Sequence, residues 1–155
     1  MFKIILNPDF SVGEYDLENT TVSEILGSYL VCMTNFEMRW NEHSIKMNYG
    51  LHIGDSIRDI FLMISNVKMR KKQFHIQFPS QSFFETWYFS IDNNEINVKW
   101  LNKEELYGDI DVDVDLFLRE WHKLFKQMME STHKAGYNED NITDLHMLSV
   151  LSELD

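Results

Sequence analysis

Several residue types are scarce in this chain, and each shortage excludes something. Cysteine occurs once in 155 residues. Cys32, in the apolar stretch YLVCM, cannot form an internal disulfide and reads as a small buried hydrophobe. The six glycines are all isolated, so no Gly-x-Gly-x-x-Gly or Gly-x4-Gly-Lys loop is present to cradle a phosphate, and no nucleotide cofactor is implied. Only two prolines occur, and there is no Pro/Gly/Ser linker, low-complexity tract or internal repeat. Residues 1–155 therefore read as a single globular domain. Long hydrophobic runs are missing too. The opening MFKIILNPDF has only a three-residue apolar run, Ile4 to Leu6, before Asn7 and Pro8, too short for a signal-peptide core or a membrane span, so a soluble, cytoplasmic protein is expected.

Positive charge is the other shortage. Fourteen Lys and Arg face 25 Asp and Glu, a formal net charge of −11. A polyphosphate ligand requires a positive surface that releases counterions, so nucleic acid is not the expected partner. The imbalance is concentrated in the later part of the chain. Residues 91–155 carry 15 acidic against 6 basic side chains, net −9, and residues 1–90 carry 10 against 8, net −2. The basic run KMRKK at 68–72 reads as a helix end.

What is present is a good supply of core. With 44% hydrophobic and 14% aromatic residues, the chain can fill one hydrophobic interior. FKIILN reads as a strand, SYLVCMTNFEM (28–38) as a second, and RWNEHSIKMNY as the region of a third, with a helix over that middle region as the alternative reading. After Gly54, Ser56 is placed to cap a helix carrying Ile57, Ile60, Phe61, Ile64 and Val67 at helical spacing. QFHIQF supplies another strand. Next to it, Asn93-Asn94 predicts a two-residue turn that pairs Ile91 with Ile96, Phe89 with Val98 and Trp87 with Trp100, all on one face. Tyr88, Ser90, Asn97 and Lys99 fall on the opposite, wet face.

From Asp113 the period changes. Val114, Phe117, Leu118, Trp121, Leu124, Phe125 and Met128 form an apolar helical stripe, with Gly136 as its left-handed terminator. A last helix is predicted from Asn141, carrying Ile142, Leu145, Leu148 and Leu151. The fold class expected is α+β, an antiparallel sheet packed on one face by helices, with two helices at the C-terminus.

The segment GDIDVDVDLFLREW (108–121) sets Asp109, Asp111, Asp113 and Asp115 at alternate positions. Numbered from Asp109, a calcium loop would find Asp at positions 1, 3 and 5 and Glu120 at position 12. It fails at position 6, where Val114 stands in place of the glycine that the sharp turn needs. Asp113 as helix cap and Asp115 in the first turn account for two of the four. Asp109 and Asp111, with Glu104 and Glu105 just upstream, read either as a solvated acidic loop or as a surface for a basic partner, since charge of one sign speeds encounter and selects the opposite sign.

Gly54-Asp55-Ser56 resembles the nucleophile block of the GDSL or SGNH hydrolases, which makes a serine hydrolase using Ser56 one alternative. That family completes its site with a late Asp-x-x-His. The residues three before the six histidines here are Trp40, Tyr49, Lys72, Arg119, Glu130 and Thr143. No two histidines stand three or four apart, and no metal site or cofactor is predicted.

One α+β domain without a catalytic motif, an acidic segment from Asp109 to Asp115 and an aromatic hairpin with Trp87 and Trp100 together resemble the small acidic immunity proteins encoded beside bacterial polymorphic toxins and contact-dependent inhibition effectors. The resemblance is one of general plan and carries over no residue motif. It implies a non-enzymatic antitoxin that meets the basic active-site cleft of a toxin, often a nuclease, and occludes it, with Glu104, Glu105, Asp109, Asp111, Asp113 and Asp115 as the partner-binding residues. A structural or regulatory module that dimerises is the remaining alternative.

Overall fold

Among the described residues, seven strands form two antiparallel sheets, with a helical layer made chiefly from the C-terminal third of the chain. The computed structural model describes residues 1–28, 31, 33–78, 85–102 and 105–153. In the first sheet the order is β1 (Phe2–Ile5), β2 (Asn35–Trp40), β3 (His43–Asn48); in the second it is β4 (Gln73–Gln77), β5 (Glu85–Asp92), β6 (Glu95–Asn102), β7 (Glu105–Asp113). The helices are α1 (Val22–Leu26), α2 (Ile57–Lys68), α3 (Val114–Ala135) and α4 (Leu145–Ser152), with a π-helical turn over Tyr49–Gly54. The architecture is α+β with two C-terminal helices, as the patterning predicts, although the strands divide between two sheets.

The β5–β6 hairpin has the register read from its alternation. Ile91 lies opposite Ile96, Phe89 opposite Val98 and Trp87 opposite Trp100, and Asn93 takes the left-handed conformation at φ 54°. The β2–β3 turn repeats the device with Asn41 at φ 53°. Asparagine tolerates this region because its short polar side chain bonds locally.

Trp40, at the end of β2, joins the two sheets. Its ring meets Trp87 edge-on at 5.2 Å, Trp100 at 4.8 Å and Phe2 at 5.0 Å. Phe117 of α3 continues the cluster by stacking on Phe2 at 5.2 Å. On β7 the residue opposite Trp100 is Gly108, and a Cβ there would sit 2.0 Å from the Trp100 ring. The indole occupies the space a side chain would need. Gly108→Ala is therefore expected to lower stability by about 1–3 kcal/mol through overpacking, read as a reduced urea midpoint. An unchanged midpoint would contradict this packing.

α3 is bounded as its sequence predicts. The Asp113 carboxylate accepts from the Leu116 N–H at 2.9 Å, and Gly136 ends the helix at φ 104°. The stripe Val114, Phe117, Trp121, Leu124, Phe125 and Met128 is buried, and Leu118 only partly so. Polar groups of the same helix hold down the irregular N-terminal segment. Gln127 donates to the Asn7 carbonyl at 2.6 Å, and the Ser131 hydroxyl accepts from the Val12 N–H at 3.0 Å.

Four expectations need correction. Residues 105–113 form strand β7, where a loop is one of the two expected readings of the acidic segment, because Ile110 and Val112 alternate with the aspartates and bury against the core. The second strand starts at Asn35, not at 28, and α1 precedes it, nucleated by a capping box in which Thr21 and Glu24 bond each other's backbone N–H. The last helix begins at Leu145, since an Asn138–Asn141 turn closed by side-chain bonds occupies the four residues before Ile142. Ser56 stands at the start of α2 but makes no side-chain capping bond. Cys32 lies outside the described residues.

Candidate protein-docking surface

Pairing β7 with β6 turns the alternating aspartates into a one-sided display. Side chains of a strand point to opposite faces in turn, so Ile110 and Val112 enter the core while Asp109, Asp111 and Asp113 stand in solvent. Registry across the sheet then sets three rows on the outer face. The first is His75, Tyr88, Lys99, Asp109; the second is Gln73, Ser90, Asn97, Asp111; the third is Asp92, Glu95, Asp113.

The third row places three carboxylates directly opposite one another across β5, β6 and β7. Like charges in facing positions destabilise a sheet. None of the three has an ion pair among the described residues; Asp113 is held by Asn94, whose amide donates to it at 2.6 Å. Asn94 also donates to Asp115 at 3.4 Å and accepts from Arg70 at 2.8 Å, so it fastens the hairpin tip to the first turn of α3. In the second row the Asn97 amide lies between two carboxylates, donating to Asp109 at 2.7 Å and to Asp111 at 2.9 Å.

The acidic surface is partly neutralised from within. Lys99 approaches Asp109 at 3.6 Å and Arg70 approaches Asp115 at 3.6 Å, both pairs well exposed. Pairs of this length and exposure contribute between nothing and about 1 kcal/mol. Asp111 has no ion pair among the described residues. Six carboxylates, those of Asp92, Glu95, Asp109, Asp111, Asp113 and Asp115, thus share one region with two cations.

Of the partner-binding residues expected from sequence, Asp109, Asp111, Asp113 and Asp115 are brought together on β7 and the first turn of α3. Glu104 lies outside the described residues. Glu105 opens β7 opposite Asn102, and its side chain is likewise outside them. Asp92 and Glu95 were missed by the sequence reading, although the hairpin register already sets them face to face. Tyr88 projects from the same outer face and is 47% exposed, with the His75 ring 5.5 Å away at 32°.

The Gly54-Asp55-Ser56 block is arranged differently from a nucleophile site. Ser56 is 1% exposed and its hydroxyl has no hydrogen-bond partner among the described residues. His52 sits buried in the π-helical turn, where its Nδ1 accepts from the Asn48 N–H at 2.7 Å. Burial holds the imidazole below its ordinary pKa, with Asp55 pulling the other way. Asp55 itself accepts from the Ser23 hydroxyl at 3.3 Å.

Among the described residues, no three His, Cys, Asp or Glu side chains are grouped to hold a metal ion, and the aspartates of β7 are spread along a strand instead of wrapped in a loop. No described helix is long and apolar enough to cross a membrane. No family model, curated protein or solved structure matches this chain, so the surface is interpreted from its own geometry.

Proposed function

We propose that the chain is a non-catalytic protein-binding module of the immunity type, a cytoplasmic antitoxin whose acidic sheet face covers the basic active-site cleft of a toxin. The observation that carries this reading is the row Asp92, Glu95, Asp113, with Asp111 beside it. Facing carboxylates without cations cost stability, and of the three only Asp113 has a structural duty, as the cap of α3, whereas together they supply a concentrated negative field for a cationic partner. A basic nuclease fits that chemistry, because its cleft is built for phosphate and meets in these carboxylates a set of negative charges at strand spacing. Nucleic acid itself would be repelled.

The test is the variant Asp92→Asn, Glu95→Gln, Asp111→Asn, Asp113→Asn, in which asparagine at 113 still caps α3. Association with the toxin encoded in the neighbouring gene, followed by stopped-flow at low salt, is expected to slow by tenfold or more, and the difference to shrink at high salt. Relief of repulsion should leave the variant at least as stable as the parent. An unchanged association rate in a folded variant would overturn the reading.

A further inference from the structure

The outer face of the second sheet carries more than negative charge. Beside the carboxylates lies an open groove of about 550 Å³ whose described lining comes entirely from β4, β5 and β6, with Tyr88 and His75 forming part of its floor. Tyr88 is a large aromatic left nearly half exposed in the middle of a sheet whose other face holds Trp87 and Phe89 fully packed. Moving across the strands from it, the order is ring, Lys99, Asp109, and one row further along, Asn97 and Asp111. The Lys99 ammonium engages Asp109, and Asn97 holds the carboxylates of Asp109 and Asp111 in place at 2.7 and 2.9 Å.

We infer that this face is selective for arginine over lysine in its partner through one guanidinium stacked on the Tyr88 ring, while the carboxylates of β7 attract either cation. The inference rests on the protein-binding reading above and specifies the chemistry of the partner. A flat aromatic platform on a negatively charged face matches what a planar guanidinium does and a compact ammonium does poorly, which is to stack on a ring. Adjacent strands lie about 4.8 Å apart and successive rows about 7 Å apart, which puts Tyr88 about 10 Å from Asp109, about 12 Å from Asp111 and about 17 Å from Asp113, within the span of several basic residues on one partner surface. A second copy of this chain is a poor occupant, since its own net charge of −11 opposes the approach. The exposed Lys99–Asp109 pair is weak enough to yield to an incoming arginine.

The experiment titrates the isolated full chain with hexa-arginine and hexa-lysine peptides at low salt, following backbone amide shifts and affinity. Hexa-arginine is expected to bind about threefold to fivefold more tightly, as one exposed cation–π contact provides, with the largest shifts at Tyr88 and its neighbours. Tyr88→Thr, which keeps a strand-favouring residue at an exposed position, should bring hexa-arginine down to the affinity of hexa-lysine; circular dichroism checks that the variant is folded. Equal affinity of the parent for both peptides, or a difference that persists in Tyr88→Thr, overturns the inference and leaves the protein-binding reading standing. Binding of both peptides that is unaffected by the quadruple neutralisation removes that reading as well. Concentration-dependent shifts at Tyr88 without peptide would assign the face to self-association and also overturn the inference.

Discussion

Replacing Glu120 by alanine is expected to destabilise the protein by about 2–4 kcal/mol, a large effect for a charged residue in a helix. Glu120 is 6% exposed in the middle of α3. One carboxylate oxygen accepts from the backbone N–H of Ile4 at 2.9 Å, and the other is met by Lys123 at 2.6 Å. β1 is an outer strand of its sheet, with β2 on one side. On its other side the helix supplies an acceptor where a further strand would have provided a carbonyl. Truncation leaves that buried N–H without its partner, and an unmet buried donor costs more than the bond contributes. Lys123 is half exposed and can rehydrate, so the deficit falls mainly on β1. Glu120→Gln keeps an acceptor and should lose less than half as much. Urea unfolding with an unchanged m-value checks both, and an alanine variant within about 0.5 kcal/mol of the parent would show that the carboxylate does not seal the strand.

Trp40→Ala is expected to cost more, about 3–5 kcal/mol. The side chain is fully buried and touches Phe2, Trp87 and Trp100, so its removal opens a cavity between the two sheets. Large rings on both sides limit how far the cavity can collapse. Because the Trp40 indole N–H has no hydrogen-bond partner among the described residues, Trp40→Phe forfeits volume without breaking a polar contact and should cost less than half of the alanine value. A phenylalanine variant as unstable as the alanine one would mean that the indole N–H is bonded after all.

The two substitutions mark the boundary of what the sequence makes legible. Trp40 lies in a strand-like stretch, but the sequence pattern divides the strands after Met38, whereas Arg39 and Trp40 complete β2 and the chain turns at Asn41. The β5–β6 register and the ends of α3 are local matters, governed by a turn dipeptide, a capping aspartate and a terminal glycine. Glu120 is different. Its neighbour on the helix side is β1, from the opposite end of the chain, and no pattern around position 120 signals which strand will arrive there. β7 was missed for another reason. Its period-two signal, DIDVDV, is as clear as that of β6, but three of its polar positions are aspartate, a residue depleted in strands, and the same residues double as a helix start. The sheet register supplies the strand reading, because Asp111 and Asp109 face Asn97 and Lys99 there. α1 carried a visible Thr-x-x-Glu signal inside a segment too short for periodicity to register.

The candidate surface was half legible. The composition of 109–115 announced concentrated charge, but only pairing with β5 and β6 adds Asp92 and Glu95 to it and sets Tyr88 alongside. Charge density is a property of sequence, and its geometry belongs to the sheet.

The bond from Ile4 to Glu120 spans 116 residues, and Val12 and Asp16 are tied just as remotely, to Ser131 and Tyr137. During synthesis the first strand therefore emerges long before its helical partner exists. At about 5–20 residues per second, it stays open for on the order of 6 to 20 seconds. Through that interval its outer edge is open to other nascent chains, so aggregation during synthesis is expected to begin at the first strand.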